Sequence, residues 1–341
     1  MHTPGEGAPA SETPPAVTVA LSVYDNARYL DAAITSVRMQ TMADFEFLIL
    51  DDGSQDGSSE IIAAHAAQDP RIRVITRENR GLVASLNELI ASAKAPLFAR
   101  MDGDDICRPE RLARQCAYLA TNPDCGIVGT WAELIDEDDR SLGAGGEKPQ
   151  GHAELLAHLR TGPLFCHPSV MARTELLRAV GGYHPSYRHC EDHDLWLRLA
   201  ARTRMANLPD RLLRYRVYPG QVSQRHAVEQ AINVAVSWQA HLRREAGETD
   251  PITPGTPIPP LDLLDSLFAQ PGLGARIRQD TVERLTYMPR ALAREGRPLL
   301  IEHIRSLPPR ARVPLWRLAG RLARHGHLGA ATQVALSLAG L

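Results

Sequence analysis

The sequence predicts an α/β protein, with a Rossmann-like, mostly parallel sheet flanked by helices and a helical C-terminal region. Short, apolar, β-branched runs that are typical of buried strands occupy residues 17–23, 45–50, 71–76 and 96–101. Apolar residues at helical spacing lie between these runs, at 27–40, 58–68 and 81–93. Strands that alternate with helices imply βαβ units, and hence parallel pairing of the strands.

The remaining chain divides by composition. Further strands are predicted at 126–134, 164–173 and 211–217, and a further helix at 192–201. Five prolines between residues 246 and 260 indicate a linker. The predicted organisation is a disordered lead-in (1–15), an α/β domain (16–225), a helix with a proline-rich linker (226–260) and a helical C-terminal region (261–341).

Composition excludes several classes of function. The chain has 341 residues, and its formal net charge of −2 gives no indication of a nucleic acid partner. Its five cysteines include no C-x-x-C pair, which argues against a zinc site or a disulfide framework and favours a reducing compartment. No stretch approaches the roughly 20 apolar residues that span a bilayer, and we expect no secretory signal. We expect a cytoplasmic protein, with any membrane contact peripheral at the inner face of the cell membrane.

Polar residues follow four consecutive predicted strands at the point where each strand ends. They are Tyr24 and Asp25, Asp51 and Asp52, residues 77–79, and residues 102–105. In open α/β sheets, ligands bind outside the carboxyl ends of the strands. One acidic strand end is usually a turn or a helix cap, but four together predict a binding site.

The segment 101–105 (MDGDD) is predicted to hold a metal. Asp102 and Asp104 are separated by one residue where a strand passes into a loop, so both carboxylates can face one hard cation, Mn²⁺ or Mg²⁺. A cation that bridges a diphosphate stabilises the charge that develops when a sugar–phosphate bond breaks. Taken alone, the segment also fits an acidic surface turn.

Asp51 and Asp52 end the second predicted strand. Acidic residues in this position are suited to accept hydrogen bonds from a ribose hydroxyl or a base N–H. Gly53 allows a tight turn, and Ser58 and Ser59 are predicted to cap the next helix. The pattern also fits a plain strand–turn–helix connection, to which we assign only Ser58 and Ser59.

As a set, these motifs resemble family 2 glycosyltransferases over about residues 17–223. The matching segments are 17–30, 45–58, 69–75, 78–81, 101–105 and 190–198 (CEDHDLWLR). The resemblance implies a GT-A fold, a nucleotide-diphospho-sugar donor and inversion at the anomeric carbon. Processive members carry a QxxRW segment and membrane helices, and this chain has neither. The resemblance is therefore to non-processive members, which add one sugar.

The resemblance also implies roles for individual residues. The nucleotide would be bound by Ser22, Tyr24, Asp25, Asp51, Asp52, Arg77 and Gly81. Asp102 and Asp104 would bind the metal and the diphosphate. Asp192 would be the general base that takes the proton from the acceptor hydroxyl, with Glu191 as a supporting acceptor-site residue. A base in hydrogen-bond reach contributes roughly 10²–10⁴-fold. Capping of a helix N-terminus is the alternative role for Glu191 and Asp192.

The implied partners are a nucleotide sugar, with UDP- and dTDP-sugars first, and a glycan, lipid-linked or secondary-metabolite acceptor. Two other functions stay open. A sugar nucleotidyltransferase would need a glycine-rich basic loop after the first strand, where residues 24–26 read YDN. A non-catalytic sugar-nucleotide-binding protein would not need Asp102, Asp104 and Asp192. A dinucleotide oxidoreductase is excluded, because no GxGxxG follows the first strand.

Two further features bear on metal binding and on membrane contact. His189, Cys190 and His193 surround the acidic pair, but their spacing suits no recognised zinc pattern and we reject that set. Arginines recur through residues 290–324, interleaved near the end with Trp316 and Leu318. Such a helix could lie on an anionic membrane near a lipid-linked acceptor. We favour a helical subdomain that packs on the transferase or on a partner subunit as a homodimer.

Overall fold

The computed structural model describes residues 14–160, 162–218 and 226–340, which form two compact units. The first unit consists of the residues up to Gly182 together with Arg202–Arg216. The second unit consists of Tyr183–Ala201 and the residues from Val217 onwards. The segment that carries Glu191 and Asp192 therefore belongs to the second unit.

The first unit contains the sheet and six helices among its described residues. Its strands are β1 (Val17–Val23), β2 (Phe45–Asp51), β3 (Ile72–Thr76), β4 (Leu97–Asp102), β5 (Ile106–Cys107), β6 (Cys125–Ile135), β7 (Ser141–Ala144), β8 (Met171–Arg173) and β9 (Arg204–Arg216). Its helices are α1 (Ala27–Arg38), α2 (Ser58–Ala66), α3 (Leu82–Ser92), α4 (Arg111–Thr121), α5 (His152–His158) and α6 (Thr174–Ala179).

The described strands join one sheet in the order β3-β2-β1-β4-β8-β6-β9-β5, with β7 paired to β6. Strands β1 to β4 are parallel, as the βαβ pattern predicts. The other part of the sheet is mixed. Strand β8 is antiparallel to both of its neighbours, and β6 is parallel to β9. Strand β5 pairs antiparallel with β9, and β7 pairs antiparallel with β6. The parallel part brings the carboxyl ends of β3, β2, β1 and β4 to one edge of the sheet, which we call the acidic edge.

The sheet core follows the sequence pattern. All seven residues of β2 are buried, as expected of a central strand covered on both faces. Helix α1 buries Leu30, Ile34 and Val37, which are spaced along one helical face, in the same cluster as Val19 of β1. This packing fixes β1, β2 and β4 beneath the acidic edge.

The predicted strand at 164–173 is only partly confirmed. Its end is β8, but residues His167–Ser169 form a 3₁₀ turn. Pro168 has no N–H to donate to a sheet ladder, which favours a turn. The hydroxyl of Ser169 accepts the Thr130 N–H at 3.0 Å and so replaces a backbone partner there. Helices α4, α5 and α6 were not predicted.

The second unit is helical in its described residues. Its helices are α7 (Glu191–Ala200), α8 (Ala227–Glu245), α9 (Leu264–Leu267), α10 (Leu273–Leu285), α11 (Pro289–Ala293), α12 (Gly296–Ser306), α13 (Pro309–Arg312), α14 (Trp316–Arg324) and α15 (Leu328–Ala339), with 3₁₀ turns at Leu261–Leu263 and Val313–Leu315. Helix α7 matches the helix predicted at 192–201 to within one residue at each end.

The proline-rich stretch 246–260 forms no helix or strand, yet it packs within the second unit. Ile252 is buried in the same cluster as Val236 of α8 and Leu264 of α9. The hydroxyl of Ser186 donates to the carbonyl of Thr253 at 3.0 Å. These contacts hold the stretch against α8.

The apolar face of α14 packs inside the second unit. Leu318 and Leu322 are buried with residues of the other C-terminal helices, whereas Trp316 stays about half exposed. Arg321 donates to the carbonyl of Thr286 at 2.7 Å. Among the described helices, none is long and apolar enough to cross a bilayer. The five cysteines are free thiols.

Candidate active site

Three carboxylates converge where β4 ends. Asp102 is the last residue of β4, and one oxygen from each of Asp102, Asp104 and Asp105 lies within 4.8 Å of the others. Asp105 is buried, and the other two are partly exposed. Gly103 allows this turn to lie against the start of α1, because a Cβ atom there would come 2.7 Å from the side-chain nitrogen of Asn26, the N-cap of α1.

Arginines hold these carboxylates in place. Arg100, buried in β4, forms an ion pair with Asp102 at 2.6 Å. From β9, the backbone N–H of Arg216 donates to Asp105 Oδ1 at 2.9 Å, and its Nε donates to the carbonyl of Asp104 at 2.7 Å. The Arg216 guanidinium is buried 4.3 Å from the centre of the Tyr29 ring. The end of β9 thus fixes the acidic turn.

The acidic turn is electrostatically strained. Burial, and then the charges of Asp104 and Asp102, raise the pKa of Asp105 well above its usual value. Asp105 Oδ2 is buried without a hydrogen-bond partner among the residues that the structure describes. A divalent cation beside these oxygens would relieve the repulsion, and oxygen ligands are those that Mg²⁺ and Mn²⁺ prefer.

Asp51 and Asp52 are buried, and their carboxylates shape the loops after β2 and β3. Asp51 accepts the N–H of Ser54 at 2.9 Å and the hydroxyl of Ser59. Asp52 accepts the N–H groups of Arg80 at 2.9 Å and Gly81 at 2.8 Å. Contact of either carboxylate with a nucleoside stays a prediction.

The predicted capping role of Ser58 and Ser59 is wrong. Helix α2 begins at Ser58, its N-cap is Gly57 in a left-handed conformation, and no side chain caps it. The Ser58 hydroxyl instead donates to Asp56 and accepts the N–H of Asn26, while that of Ser59 donates to Asp51. Both serines tie the start of α2 to neighbouring loops, because their hydroxyls find partners outside the helix.

Three predicted nucleotide-binding residues lie at the acidic edge, where β1 ends: Ser22, Tyr24 and Asp25. Ser22 is in register with Asp102 on the neighbouring β4. The side chain of Tyr24 is exposed beyond the end of β1. Asp25 has a left-handed φ of +47°, and its carboxylate accepts the N–H of Gln55 at 2.8 Å. The predicted nucleotide-binding residues of β1 and the acidic turn therefore share one edge.

Arg77 connects the loops of this edge. Its side chain is buried and forms an ion pair with Asp52 at 2.5 Å and with Glu88 of α3 at 2.9 Å. It also donates to the Ser85 hydroxyl at 2.9 Å. Gly81, with φ of +85°, begins the turn into α3. Arg77 therefore holds the loop between β3 and α3, and a direct nucleotide contact stays a prediction.

Asp192 and Glu191 lie in the first turn of α7 in the second unit. The N-cap of α7 is Cys190, and neither acidic residue occupies the capping position. Asp192 Oδ1 accepts the N–H of His193 at 2.7 Å, and Glu191 is buried. The positive end of the helix dipole favours the ionised form of a carboxylate in this turn. The role of Asp192 as general base stays a prediction.

Two residues of the acidic edge were not predicted from the sequence to belong to the site: Arg100 and Arg216. A charged residue inside the apolar run of β4 was a signal for Arg100, because such a residue needs a buried partner. Arg216 lies more than 100 residues from Asp105, and only the pairing of β9 with β5 brings it there.

The sequence of this chain is similar to those of known glycosyltransferases. Residues 18–181 match the family described as glycosyl transferase family 2. EpsE of Bacillus subtilis is 31% identical over 249 residues, which are 72% of this chain and 88% of EpsE. The O-antigen biosynthesis glycosyltransferase WbnJ of Escherichia coli is 31% identical over 206 residues, 59% of this chain and 80% of WbnJ. This chain belongs to glycosyltransferase family 2.

Another relative agrees with this assignment, and solved structures share the fold. The amylovoran biosynthesis glycosyltransferase AmsE of Erwinia amylovora is 29% identical over 212 residues, 61% of this chain and 79% of AmsE. S. aureus TarS 1–349 with UDP-GlcNAc matches with a TM-score of 0.56 at 17% identity, covering 95% of this chain and 92% of TarS. A Pyrobaculum calidifontis mannosyltransferase with GDP-Man and Mn²⁺ matches with a TM-score of 0.52 at 19% identity, covering 98% and 87%. The predicted GT-A fold and glycosyltransferase activity are confirmed.

Proposed function

We propose that this glycosyltransferase moves one sugar from a nucleotide-diphospho-sugar to an acceptor hydroxyl with inversion at the anomeric carbon, and that the acidic edge binds the donor. The observation that carries the proposal is the convergence of Asp102, Asp104 and Asp105 at the end of β4. Ser22 lies beside them on β1, where ligands of such sheets bind.

A divalent cation, Mn²⁺ or Mg²⁺, is proposed at Asp102 and Asp104. The clustered carboxylates and the raised pKa of Asp105 fit a cation, and the Pyrobaculum calidifontis mannosyltransferase structure contains Mn²⁺. When bound, the cation supplies Lewis-acid stabilisation of the departing diphosphate. Arg100 and Arg216 hold the acidic turn in shape, so the carboxylates are positioned before the donor arrives.

The nucleotide is proposed to bind along the ends of β1 and β2. Tyr24 exposes its ring there and is suited to lie against a base. Asp52 and Arg77 fix the loop that carries Gly81, and so determine the shape of this surface. UDP- and dTDP-sugars are the donors we propose first. TarS has been solved with UDP-GlcNAc and the mannosyltransferase with GDP-Man, so GDP-sugars are the next donors to test.

Asp192 is proposed as the general base. An inverting transfer needs one group that accepts the proton of the attacking acceptor hydroxyl, and the carboxylate of Asp192 in the first turn of α7 is a group of that type. Glu191, its buried neighbour in α7, is proposed to support the acceptor site.

The acceptor is proposed to be a glycan or a lipid-linked sugar in cell-surface polysaccharide biosynthesis, since WbnJ and AmsE are named for O-antigen and amylovoran biosynthesis. We propose a cytoplasmic site of action at the inner face of the cell membrane. The exposed Trp316 and the arginines of α14 are available for peripheral contact with anionic lipid or for a homodimer.

A thermal-shift screen of UDP-, dTDP- and GDP-sugars, with and without Mn²⁺, tests donor binding. We expect one nucleotide sugar to raise the Tm only with Mn²⁺, because a ligand at 100 times its Kd stabilises by about 2.7 kcal/mol. Asp104→Asn should abolish this shift. Asp124→Asn, which changes an exposed aspartate paired with Arg204, is the matched control and should keep it. An equal shift in Asp104→Asn would contradict the proposed metal–diphosphate site.

A further inference from the structure

A second group of potential metal ligands lies in the second unit, at the start of α8. Single ligand atoms of His189, His226 and Glu229 all lie within 4.8 Å of one another. His189 Nε2 lies 3.6 Å from Glu229 Oε2, and His226 Nδ1 lies 3.9 Å from it. These separations are too long for hydrogen bonds. They are close to the separation of about 3.4 Å between two ligand atoms on one tetrahedral Zn²⁺.

One ring nitrogen of this group lacks a partner. His189 Nε2 is buried and makes no hydrogen bond to the residues that the structure describes. Native proteins rarely bury such an atom without a partner, so the atom points to a ligand. A neutral imidazole binds a metal through such a ring nitrogen.

The backbone holds His189 in this position against its own preference. Its φ of +62° lies in the left-handed region, which side chains other than glycine rarely adopt. Gln230 of α8 donates to the carbonyl of His189 at 2.7 Å, and Asn233 donates to that of Arg188 at 2.9 Å. Two side chains of α8 thus fix the segment that presents the His189 ring.

The other two ligands come from one turn. His226 is the N-cap of α8 and Glu229 follows three residues later, so both face the same side of the helix. The rings of His189 and His226 stack with their centres 4.1 Å apart and an angle of 11° between them. The three ligand atoms already lie within 4.8 Å of one another, and a turn of one ring out of this stack would direct both ring nitrogens at one ion.

We propose that His189, His226 and Glu229 bind a transition-metal dication, with Zn²⁺ as the ion that suits them best. Two imidazoles and one carboxylate are ligands that Zn²⁺ takes in proteins, with a fourth position for water or another ligand. The bound ion would tie His189 to the first turn of α8. Because Asp192 follows His189 by three residues, the ion would also restrain the backbone that leads into the proposed base.

Zinc binding to the full-length chain tests this site. The Asp104→Asn background is used, so that binding at the acidic edge does not contribute. After removal of metal by a chelator, Zn²⁺ is titrated in competition with a chromogenic chelator, and Co²⁺ is added separately to record its visible absorption. We expect one Zn²⁺ per chain and a tetrahedral Co²⁺ spectrum.

Variants in the same background identify the ligands. Loss of an outer-shell partner costs 10–100-fold in metal affinity, so Glu229→Gln and His226→Gln should each weaken Zn²⁺ binding by about 100-fold or more. His189→Asn should weaken Zn²⁺ binding by a similar factor, because it removes the ring nitrogen. Asparagine is chosen because it tolerates the left-handed backbone at this position. His325→Gln changes an exposed histidine and is the control. Circular dichroism verifies that each variant is folded.

The outcomes separate this proposal from the proposed transfer reaction. Absence of stoichiometric Zn²⁺ binding in folded Asp104→Asn protein would overturn the second metal site, whatever the donor screen shows. Equal affinity in the folded Glu229→Gln and His226→Gln variants would also overturn it. Loss of Zn²⁺ binding in those variants, with the His325→Gln control unchanged, would establish the ligands even if no nucleotide sugar binds.

Discussion

The acidic edge of the first unit and the helix starts of the second unit position their carboxylates by different means. At the acidic edge, strand register fixes the positions: Asp102 of β4 pairs with Ser22 of β1. In the second unit, Asp192 lies in the first turn of α7, and side-chain hydrogen bonds from α8 position the preceding segment. The acidic edge therefore depends on the pairing of strands, whereas the helix-start site depends on hydrogen bonds between packed helices and loops.

The largest effect is expected from Asp192→Asn in the second unit. If Asp192 is the base, kcat should fall roughly 10²–10⁴-fold while the Kd for the donor nucleotide stays unchanged. Steady-state kinetics and calorimetric titration of the nucleotide measure the two quantities. Glu245→Gln, an exposed residue at the end of α8, is the control. Normal turnover in Asp192→Asn would show that the base is another group.

Asp104→Asn, at the acidic edge, should lower both the rate of transfer and the affinity for the nucleotide. Loss of metal-assisted stabilisation of the diphosphate should remove several kcal/mol from transition-state binding. Unlike Asp192→Asn, it should also weaken nucleotide binding in the presence of Mn²⁺. Titrations with and without Mn²⁺ measure this. If Asp104→Asn and Asp192→Asn gave the same pattern, the separation of donor and acceptor roles would be wrong.

The helix starts of the second unit should show their own dependence on pH. Burial, above all, lowers the pKa of His193 to about 4. The unfolded chain binds a proton near pH 6.5 and the folded chain does not, so stability falls as pH falls from 6.5 to 4, by about 3 kcal/mol. His193→Gln should show a flatter profile in urea unfolding followed by tryptophan fluorescence. A profile as steep as that of the His325→Gln control would contradict this.

A smaller dependence of stability on pH is expected in the first unit, where a carboxylate rather than a histidine carries it. Hydrogen bonds from Arg71, which outweigh burial, lower the pKa of Asp69 to about 2. Asp69 therefore contributes about 2 kcal/mol above pH 4, which is lost as pH falls through about 2. Asp69→Asn should lower the unfolding free energy at pH 7 by this amount, measured by hydrogen exchange in β2 and β3. The exposed Asp44→Asn is the control, and equal stability of the two variants would count against the prediction.

The sequence alone predicted β1 to β4 and the polar residues at their ends, because short apolar runs and their breaks are local signals. It also placed Asp192 at the start of a helix. It did not predict that Arg216 would meet Asp105, since the pairing of β9 with β5 joins segments more than 100 residues apart. For the same reason the sequence did not predict that His189 would lie beside His226 and Glu229.

The carboxylate of Asp52 has a consequence for protein engineering. It accepts the N–H groups of Arg80 and Gly81 and pairs with Arg77, so it holds together the loops that follow β2 and β3. A library that aims to change donor preference should leave Asp52 and Arg77 as they are. Diversity is better introduced at Tyr24, whose exposed side chain supports no neighbouring loop that the structure describes.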